Sequence, residues 1–255
     1  MKKPKRAKEW FDEDAYWRTT FAFMFPESRF TVAPETVRKV LRLTKLRGKT
    51  ALDLCCGPGR ISIALAERGF SVTAVDRTKY LLDKARTRAR AAGVDVEWVQ
   101  QDMRDFVRPE AYHLALSMFT SFGYFKSRDE DTAVLANVFR SLRRGGVFFI
   151  DILGREILAK FYQPVSAEGL PDGGILVERR SIVDDWTRIL NEWTVIQKGI
   201  AKKFTLHLNL YSGQELRDRM EHVGFVDVKL YGNIDGAPYG PEAKRLIAVG
   251  WKSKR

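Results

Sequence analysis

Disulfide chemistry is absent from this chain: its only two cysteines, Cys55 and Cys56, are neighbours in a sequence of 255 residues. A bridge between adjacent residues would be badly strained and would staple nothing, so both read as small buried side chains in a reducing compartment. Long hydrophobic runs are missing as well. No stretch approaches the roughly 18 apolar residues that a membrane span requires, and the N-terminus has no apolar centre of the signal-peptide kind. The expectation is a cytoplasmic protein with no membrane partner and no metal site. Negative charge is in short supply: 32 acidic residues face 44 basic ones, for a net charge of +12. Such an excess points towards nucleic acid, but its placement weakens that reading. Lys2, Lys3, Lys5, Arg6 and Lys8 crowd one end and Lys252, Lys254 and Arg255 the other, and the remainder is spread over the body. Lys84, Arg86, Arg88 and Arg90 share one predicted helix and read as its solvated face.

With 45% hydrophobic and 12% aromatic residues, the chain can bury one large core with a modest added lobe. Its organising stretch is Thr50 to Gly69, TALDLCCGPGRISIALAERG. Ala51, Leu52 and Leu54 mark a buried strand interrupted by Asp53, Gly57-Pro58-Gly59 a tight turn, and Ile61, Ala64 and Leu65 the helix after it. Glycines at the turn let a ligand lie on the backbone, since a side chain at either position would fill that space, and the helix start offers unpaired N–H groups. The next strand, Ser71 to Val75, leads into Asp76, 17 residues past Gly59, where an acid can take the hydroxyls of a ribose. A nucleotide-like ligand is expected. A dinucleotide-binding dehydrogenase would place a third glycine at position 62, which is Ser62, so that reading is the weaker one.

The motif LDLCCGPGR resembles the first motif of class I S-adenosylmethionine-dependent methyltransferases, and the likeness extends along nearly the whole chain. The resemblance implies an α/β fold: a Rossmann-like, seven-stranded, mostly parallel sheet flanked by helices, with a small antiparallel β-sheet lobe inserted after the fifth strand. It implies S-adenosyl-L-methionine as cofactor and S-adenosyl-L-homocysteine as product. It assigns cofactor binding to Asp53, Cys55, Gly57, Gly59, Arg60, Asp76, Arg77, Asp102, Met103 and Phe119. Within that set Asp76 takes the ribose hydroxyls, and Arg60 pairs with the cofactor's carboxylate or, as an equal alternative, makes a surface salt bridge. Asp102 and the N–H of Met103 address the adenine, and Phe119 lies against the methionine arm. The family usually has glycine where Cys55 stands and often aspartate where His113 stands, two departures in this chain.

Residues 1–49 read as an N-terminal helical lid. Trp10, Phe11, Tyr16, Trp17, Phe21, Phe23 and Phe25 give it an aromatic density suited to excluding water, and Tyr16 is a candidate hydroxyl facing the site. A second helix starts at Pro34. The core comprises residues 50–153 and 211–255. There, Thr78 is the expected cap of a helix closing near Gly93, and Ser127 to Glu130 and Ser212 to Glu215 are capping boxes. The helix after the first box ends at Gly145-Gly146, and strands cover Val147 to Leu153, Phe225 to Tyr231 and Leu246 to Trp251. Tyr124, after the fourth strand, and Asp151, at the site end of the fifth, join Tyr16 as catalytic candidates; for Asp151, capping the next turn is an equal alternative.

Residues 154–210 form the insert. A long loop precedes three strands, Ile175 to Val183, Thr187 to Gln197 and Lys202 to Tyr211, with turns at Asp184-Asp185 and Lys198-Gly199. Basic and acidic residues nearly cancel there, unlike a lobe built to grip RNA. His207 falls on the solvent face of its strand. Tyr239, in a glycine- and proline-rich loop between the last two strands, is a further expected substrate contact.

The expected function is methyl transfer by in-line displacement to a small-molecule acceptor, by a monomer or homodimer. An already activated methyl group leaves the protein mainly a task of alignment, which contributes about 7–11 kcal/mol in favourable cases. An RNA methyltransferase using the basic ends is the second reading, and a non-catalytic S-adenosylmethionine-binding protein the third.

Overall fold

The computed structural model describes residues 9–254; Lys2, Lys3, Lys5, Arg6, Lys8 and Arg255 lie outside the described residues. A single 3-10 turn (Trp10–Asp12) precedes α1 (Asp14–Met24), α2 (Glu27–Thr31) and α3 (Ala33–Thr44). Strands and helices then alternate: β1 (Thr50–Leu54), α4 (Arg60–Ala66), β2 (Ser71–Asp76), α5 (Lys79–Ala92), β3 (Glu97–Gln100), β4 (Tyr112–Ser117), α6 (Arg128–Ser141) and β5 (Leu142–Ile152). After α7 (Arg155–Phe161) come β6 (Val165–Gly169), β7 (Ile175–Val183), β8 (Arg188–Gln197) and β9 (Ile200–Asn209), and the chain ends with α8 (Gly213–His222), β10 (Val226–Tyr231) and β11 (Leu246–Trp251).

Seven strands form one sheet in the order β10-β11-β5-β4-β1-β2-β3, while β6 to β9 form a separate four-stranded sheet. In the large sheet β1 to β5 pair in parallel, and β11 runs antiparallel to both β5 and β10. The fold is therefore the Rossmann-like sheet with an antiparallel lobe that the sequence predicts. The central strands are buried on both faces, with Ala51, Leu52, Ala74, Val75, Leu114 and Leu116 almost fully shielded, so their apolar residues run together rather than alternate. Helices have to cover both sides. One core layer joins Leu52, Leu54, Phe148 and Ile150 to Leu135, Leu216 and Met220 of α6 and α8. The other sets Val37, Val40, Ile61, Leu65 and Leu82 of α3, α4 and α5 against the opposite face. Each such large side chain contributes roughly 1.5–3 kcal/mol on leaving water. In α5, Leu81, Leu82, Ala85 and Ala89 face inward, while Arg86 pairs with Asp83 and Arg88 with Glu27. The basic face of that helix is answered by its own neighbours.

Both capping boxes form, at Ser127 and Ser212. Thr78 stands at the cap of α5 but does not cap it through its side chain; Asp76 Oδ1 accepts the Thr78 N–H at 2.8 Å. The fifth strand begins at Leu142 rather than after the glycines. Leu142 pairs with Tyr112 of β4 across a register shift, and the far end of the chain closes on the same stretch: Gly145 donates to Lys252 O, Lys252 donates to Gly146 O, and Lys252 Nζ reaches Leu142 O. Lys252, expected in a tail, is thus part of the sheet's end.

The insert holds two elements that the sequence concealed. α7 buries Ile157 and Leu158, and β6 pairs with β7 from Val165↔Arg179 to Gly169↔Ile175. As an edge strand with mostly exposed side chains, β6 carries no apolar alternation to read. β9 starts earlier than expected, at Ile200, and His207 on it is exposed. The inner face of this sheet packs on α1: Leu170, Leu176, Val195, Phe204 and Leu206 gather around Tyr16. Among the described residues no helix is long and apolar enough to cross a membrane.

Candidate active site

A cavity of about 230 Å³ opens where the ends of β1, β2 and β4 meet the N-terminal segment and the inserted sheet. Its floor is the turn between β1 and α4. Cys55 there has φ +60°, Gly57 +57° and Gly59 +83°, all in the left-handed region that side chains resist by about 1–2 kcal/mol. Position 55 is therefore one that suits glycine, and this chain accepts the strain of cysteine. The two glycines do different work, which corrects the expectation that both clear space for a ligand. A Cβ on Gly57 would meet only Phe25 of the N-terminal segment, at 3.7 Å, whereas a Cβ on Gly59 would lie 2.7 Å from Trp98 and 3.0 Å from Ala85. Gly57 leaves the cavity open; Gly59 lets α4 pack against β3 and α5.

Asp53 is buried on β1 and accepts a 2.5 Å hydrogen bond from Ser62 Oγ. Burial pushes its carboxyl up to about 6, against the pull of Ser62 and Arg60. Ser62, the residue that argued against a dehydrogenase, is thus the partner of the motif's buried acid. Asp76 ends β2 with Oδ2 accepting from Gly57 N at 2.9 Å and Oδ1 from Thr78 N. Each oxygen keeps a further lone pair for a ligand hydroxyl. Burial raises its carboxyl, and the two backbone donors oppose that shift. Asp102 lies on the same rim, but its oxygens already hold Arg104 in a forked pair, and Arg77 Nη1 reaches it at 3.0 Å. Desolvation is outweighed there by these cations, which keep the carboxyl below its usual range. Arg77 also pairs with Asp12 and lies 4.6 Å over the Phe11 ring, so it ties the N-terminal segment to the cavity's rim. Met103 lines the cavity with its sulfur 3.3 Å from Cys55 Sγ. Burial drives both cysteine thiols well above their ordinary range, which excludes them as nucleophiles at neutral pH.

Arg60 opens α4 and is 9% exposed. Its guanidinium lies 3.5 Å from the centre of the Phe119 ring, and no hydrogen bond to it exists among the described residues. Burial, with Arg29 adding to it, lowers this arginine to about 10, against the opposing pull of Asp53 and Asp151. A buried cation held only by a ring is suited to receive a carboxylate. Phe119 and Thr120 are both left-handed, at φ +59° and +62°. Asp151 holds them there: its Oδ2 accepts from Phe119 N, its carbonyl from Thr120 N, and its Oδ1 from Arg245 Nε at 2.6 Å, while Arg245 Nη2 donates to Thr120 Oγ1.

The opposite end of the cavity is aromatic. Tyr16 and Tyr124 both line it, joined by Trp10, Trp17 and Trp193. Burial raises Tyr16 well above the ordinary phenol range and Tyr124 to about 12. Both therefore stay protonated at neutral pH and offer O–H donors rather than bases. Asp151, named with them as a catalytic candidate, does not line the cavity, because the clamp on Arg245 and the Phe119-Thr120 backbone consumes it. Tyr239 is also absent from the lining: its hydroxyl donates to Glu156 at 2.8 Å. Phe125 lines the cavity while belonging to the same core cluster as Phe122. His113 bonds Thr50 Oγ1 away from the site. Trp193 and Arg245 carry no local signal: Trp193 lies on an inserted strand and Arg245 bonds Asp151 and Thr120 far along the chain, whereas Arg104 pairs with Asp102, two residues before it.

With this geometry in view, comparison with known proteins places the chain. Residues 51–146 match a family model described as a methyltransferase domain. The cypemycin N-terminal methyltransferase of a Streptomyces species is 36% identical over 106 residues, covering 42% of each chain. The ubiquinone biosynthesis O-methyltransferase of Actinobacillus pleuropneumoniae serotype 7 (strain AP76) is 30% identical over 125 residues, 48% of this chain and 53% of that protein. The chain thus spans about half the length of these curated relatives. Among solved structures, an S-adenosylmethionine-dependent methyltransferase from Clostridium acetobutylicum ATCC 824 superposes with a TM-score of 0.77 at 16% identity, over 94% of this chain and 98% of that one.

Proposed function

We propose that this chain, which carries the methyltransferase domain and fold of the class I S-adenosylmethionine-dependent family, transfers the methyl group of that cofactor to a small-molecule acceptor. The observation that carries the reading is the split character of one cavity. A polar floor of Gly57, Asp76 and Arg60 faces an aromatic end built from the N-terminal segment and the insert. The cofactor fits that floor. Asp76 keeps lone pairs for two ribose hydroxyls, the open Cβ direction of Gly57 leaves room above the backbone, and Arg60 awaits a carboxylate.

When bound, S-adenosylmethionine supplies a methyl group on a positively charged sulfur. The chain's part is to bind, orient and exclude water. Asp76 and Arg60 anchor the two ends, Asp102 and Met103 border the rim on which the adenine is assigned, and Phe119, stacked on Arg60, walls the side between them. Residues 1–49 serve as a lid and residues 154–210 as the substrate lobe over the core of 50–153 and 211–255. Their contact around Tyr16 supports this, since it closes the cavity from the side opposite the sheet. A small acceptor is favoured over RNA because the cavity is enclosed by aromatic rings and because Lys252, counted among the basic ends, is bonded into the sheet.

The names of the two curated relatives, one for N-terminal and one for O-methylation, leave the acceptor atom undecided. A thermal-shift titration with S-adenosylhomocysteine beside NAD tests the cofactor: the former alone is expected to raise the melting temperature. Transfer of labelled methyl to a metabolite extract then separates an enzyme from a binder. No shift at millimolar S-adenosylhomocysteine would overturn the reading.

A further inference from the structure

The cavity's outer end contains five aromatic rings from three separate stretches of chain. Trp10, Tyr16 and Trp17 come from the N-terminal segment, Tyr124 from the loop after β4, and Trp193 from β8. They touch one another: ring centres lie 4.9 Å apart for Trp10 and Tyr16, 5.1 Å for Trp10 and Tyr124, and 5.9 Å for Tyr16 and Trp193. The Nε1 atoms of Trp10 and Trp193 are buried with no hydrogen-bond partner among the described residues. Both N–H groups are closed off inside the wall, so the rings rather than the N–H groups meet the cavity.

What this end lacks is equally informative. Among the described residues, the carboxylates lining the cavity are Asp53, Asp76 and Asp102, and each is held by partners at the polar floor. Among the described residues, no histidine or lysine lines it. Glu178 is near enough to act on Tyr16, but it is held by Arg180 and Asn191 and does not line the cavity. The two tyrosines keep their protons. A hydroxyl acceptor needs a base to take its proton as the new bond forms, and this wall offers none. An amine needs none once it is neutral, and an apolar aromatic wall favours the neutral form on entry.

Building on the methyl-transfer reading, we infer that the acceptor atom is an amine nitrogen on a small molecule, and that these aromatic rings bind the ammonium as it forms. The amine lone pair makes the N–C bond as the C–S bond breaks and its electron pair returns to sulfur. Positive charge passes from sulfur to nitrogen, and the ammonium gives up its proton to water after release. Aromatic rings attract such a cation without needing a counter-charge.

The test uses the full chain in two steps. Calorimetry with S-adenosylhomocysteine comes first; failure there would sink the methyltransferase reading itself. With that ligand saturating, choline and its neutral isostere 3,3-dimethylbutan-1-ol are titrated separately. Choline is expected to bind about tenfold more tightly, the effect of one or two cation–ring contacts. The preference should shrink in Trp193→Leu and survive in Trp193→Phe, which keeps a ring. Equal binding, tighter binding of the neutral alcohol, or no binding of either to the S-adenosylhomocysteine complex would overturn the amine assignment while leaving the cofactor site intact.

Discussion

Asp151 at the end of β5 and Arg245 ahead of β11 are joined by a 2.6 Å hydrogen bond, and together they hold the left-handed pair Phe119-Thr120 against the cavity. An acid at the carboxyl end of a strand invites a catalytic role, but this one is spent on backbone geometry. Asp151→Ala leaves the arginine without its anion and is expected to destabilise the fold by about 3 kcal/mol, read as a lower urea midpoint. S-adenosylhomocysteine should also bind more weakly, because the loop loosens. A loss of turnover at unchanged stability and cofactor affinity would instead make Asp151 a proton acceptor.

Asp76→Ala removes the acceptor for any ribose hydroxyls and for the Gly57 and Thr78 N–H groups. At ~1.5–3 kcal/mol for each charge-assisted bond, affinity for S-adenosylhomocysteine should fall more than 100-fold by calorimetry. The melting temperature should fall too, since the turn loses its clasp.

The two motif glycines should fail differently. Gly59→Ala pushes a methyl into Trp98 at 2.7 Å, and a loss of ~2–4 kcal/mol is expected from overlap and positive φ together. Adding Trp98→Leu should restore part of it. Gly57→Ala meets nothing closer than 3.7 Å, so its stability loss should stay near 1–2 kcal/mol while cofactor affinity drops steeply. Matching stability losses in both variants would contradict this division.

Stability should decline as pH rises from about 4 to 7. Asp131 on α6 is fully buried, with Oδ2 accepting from Asn209 and Tyr211, and burial pushes its carboxyl up to about 6 despite those bonds. Asp53 is raised to about 6 in the same way. For an acid with a raised folded pKa the native state holds the extra proton, so stability is greatest below the unfolded value near 3.9 and is lost until pH passes the folded value. Each group accounts for about 3 kcal/mol across that window. Asp131→Asn should remove roughly half of the decline in urea titrations at pH 4.5 and 7. Glu97, lowered to about 2 by Arg108, acts in the opposite sense but only below this range. An unchanged slope in the variant would refute the assignment.

Much of the fold was legible because its signals are local. The apolar run of Ala51 to Leu54, the glycine turn, Asp76 and the two capping boxes each need only a few neighbouring residues to declare a strand, a bend or a helix start. Strands β7 and β11 match their expected limits for the same reason. Where a partner far along the chain sets the boundary, the reading slipped. β5 begins early because Leu142 pairs with Tyr112 of β4 and Lys252 bonds across Gly145 and Gly146, and β6 is a strand because β7 lies beside it.

The sequence by itself determined a buried strand, a glycine turn leading into a helix and an acid at the end of the next strand, since those depend on residue periodicity and backbone freedom within short windows; the parallel sheet was what the family resemblance implied. Only the tertiary structure decided what each polar side chain does with its hydrogen-bonding capacity. Asp151 goes to Arg245 and Tyr239 to Glu156, while Tyr16 and Tyr124 come together with Trp193 around one cavity. A buried polar group bonds to whatever donor or acceptor the fold brings within 3 Å, and that choice depends on which distant strands and loops become neighbours.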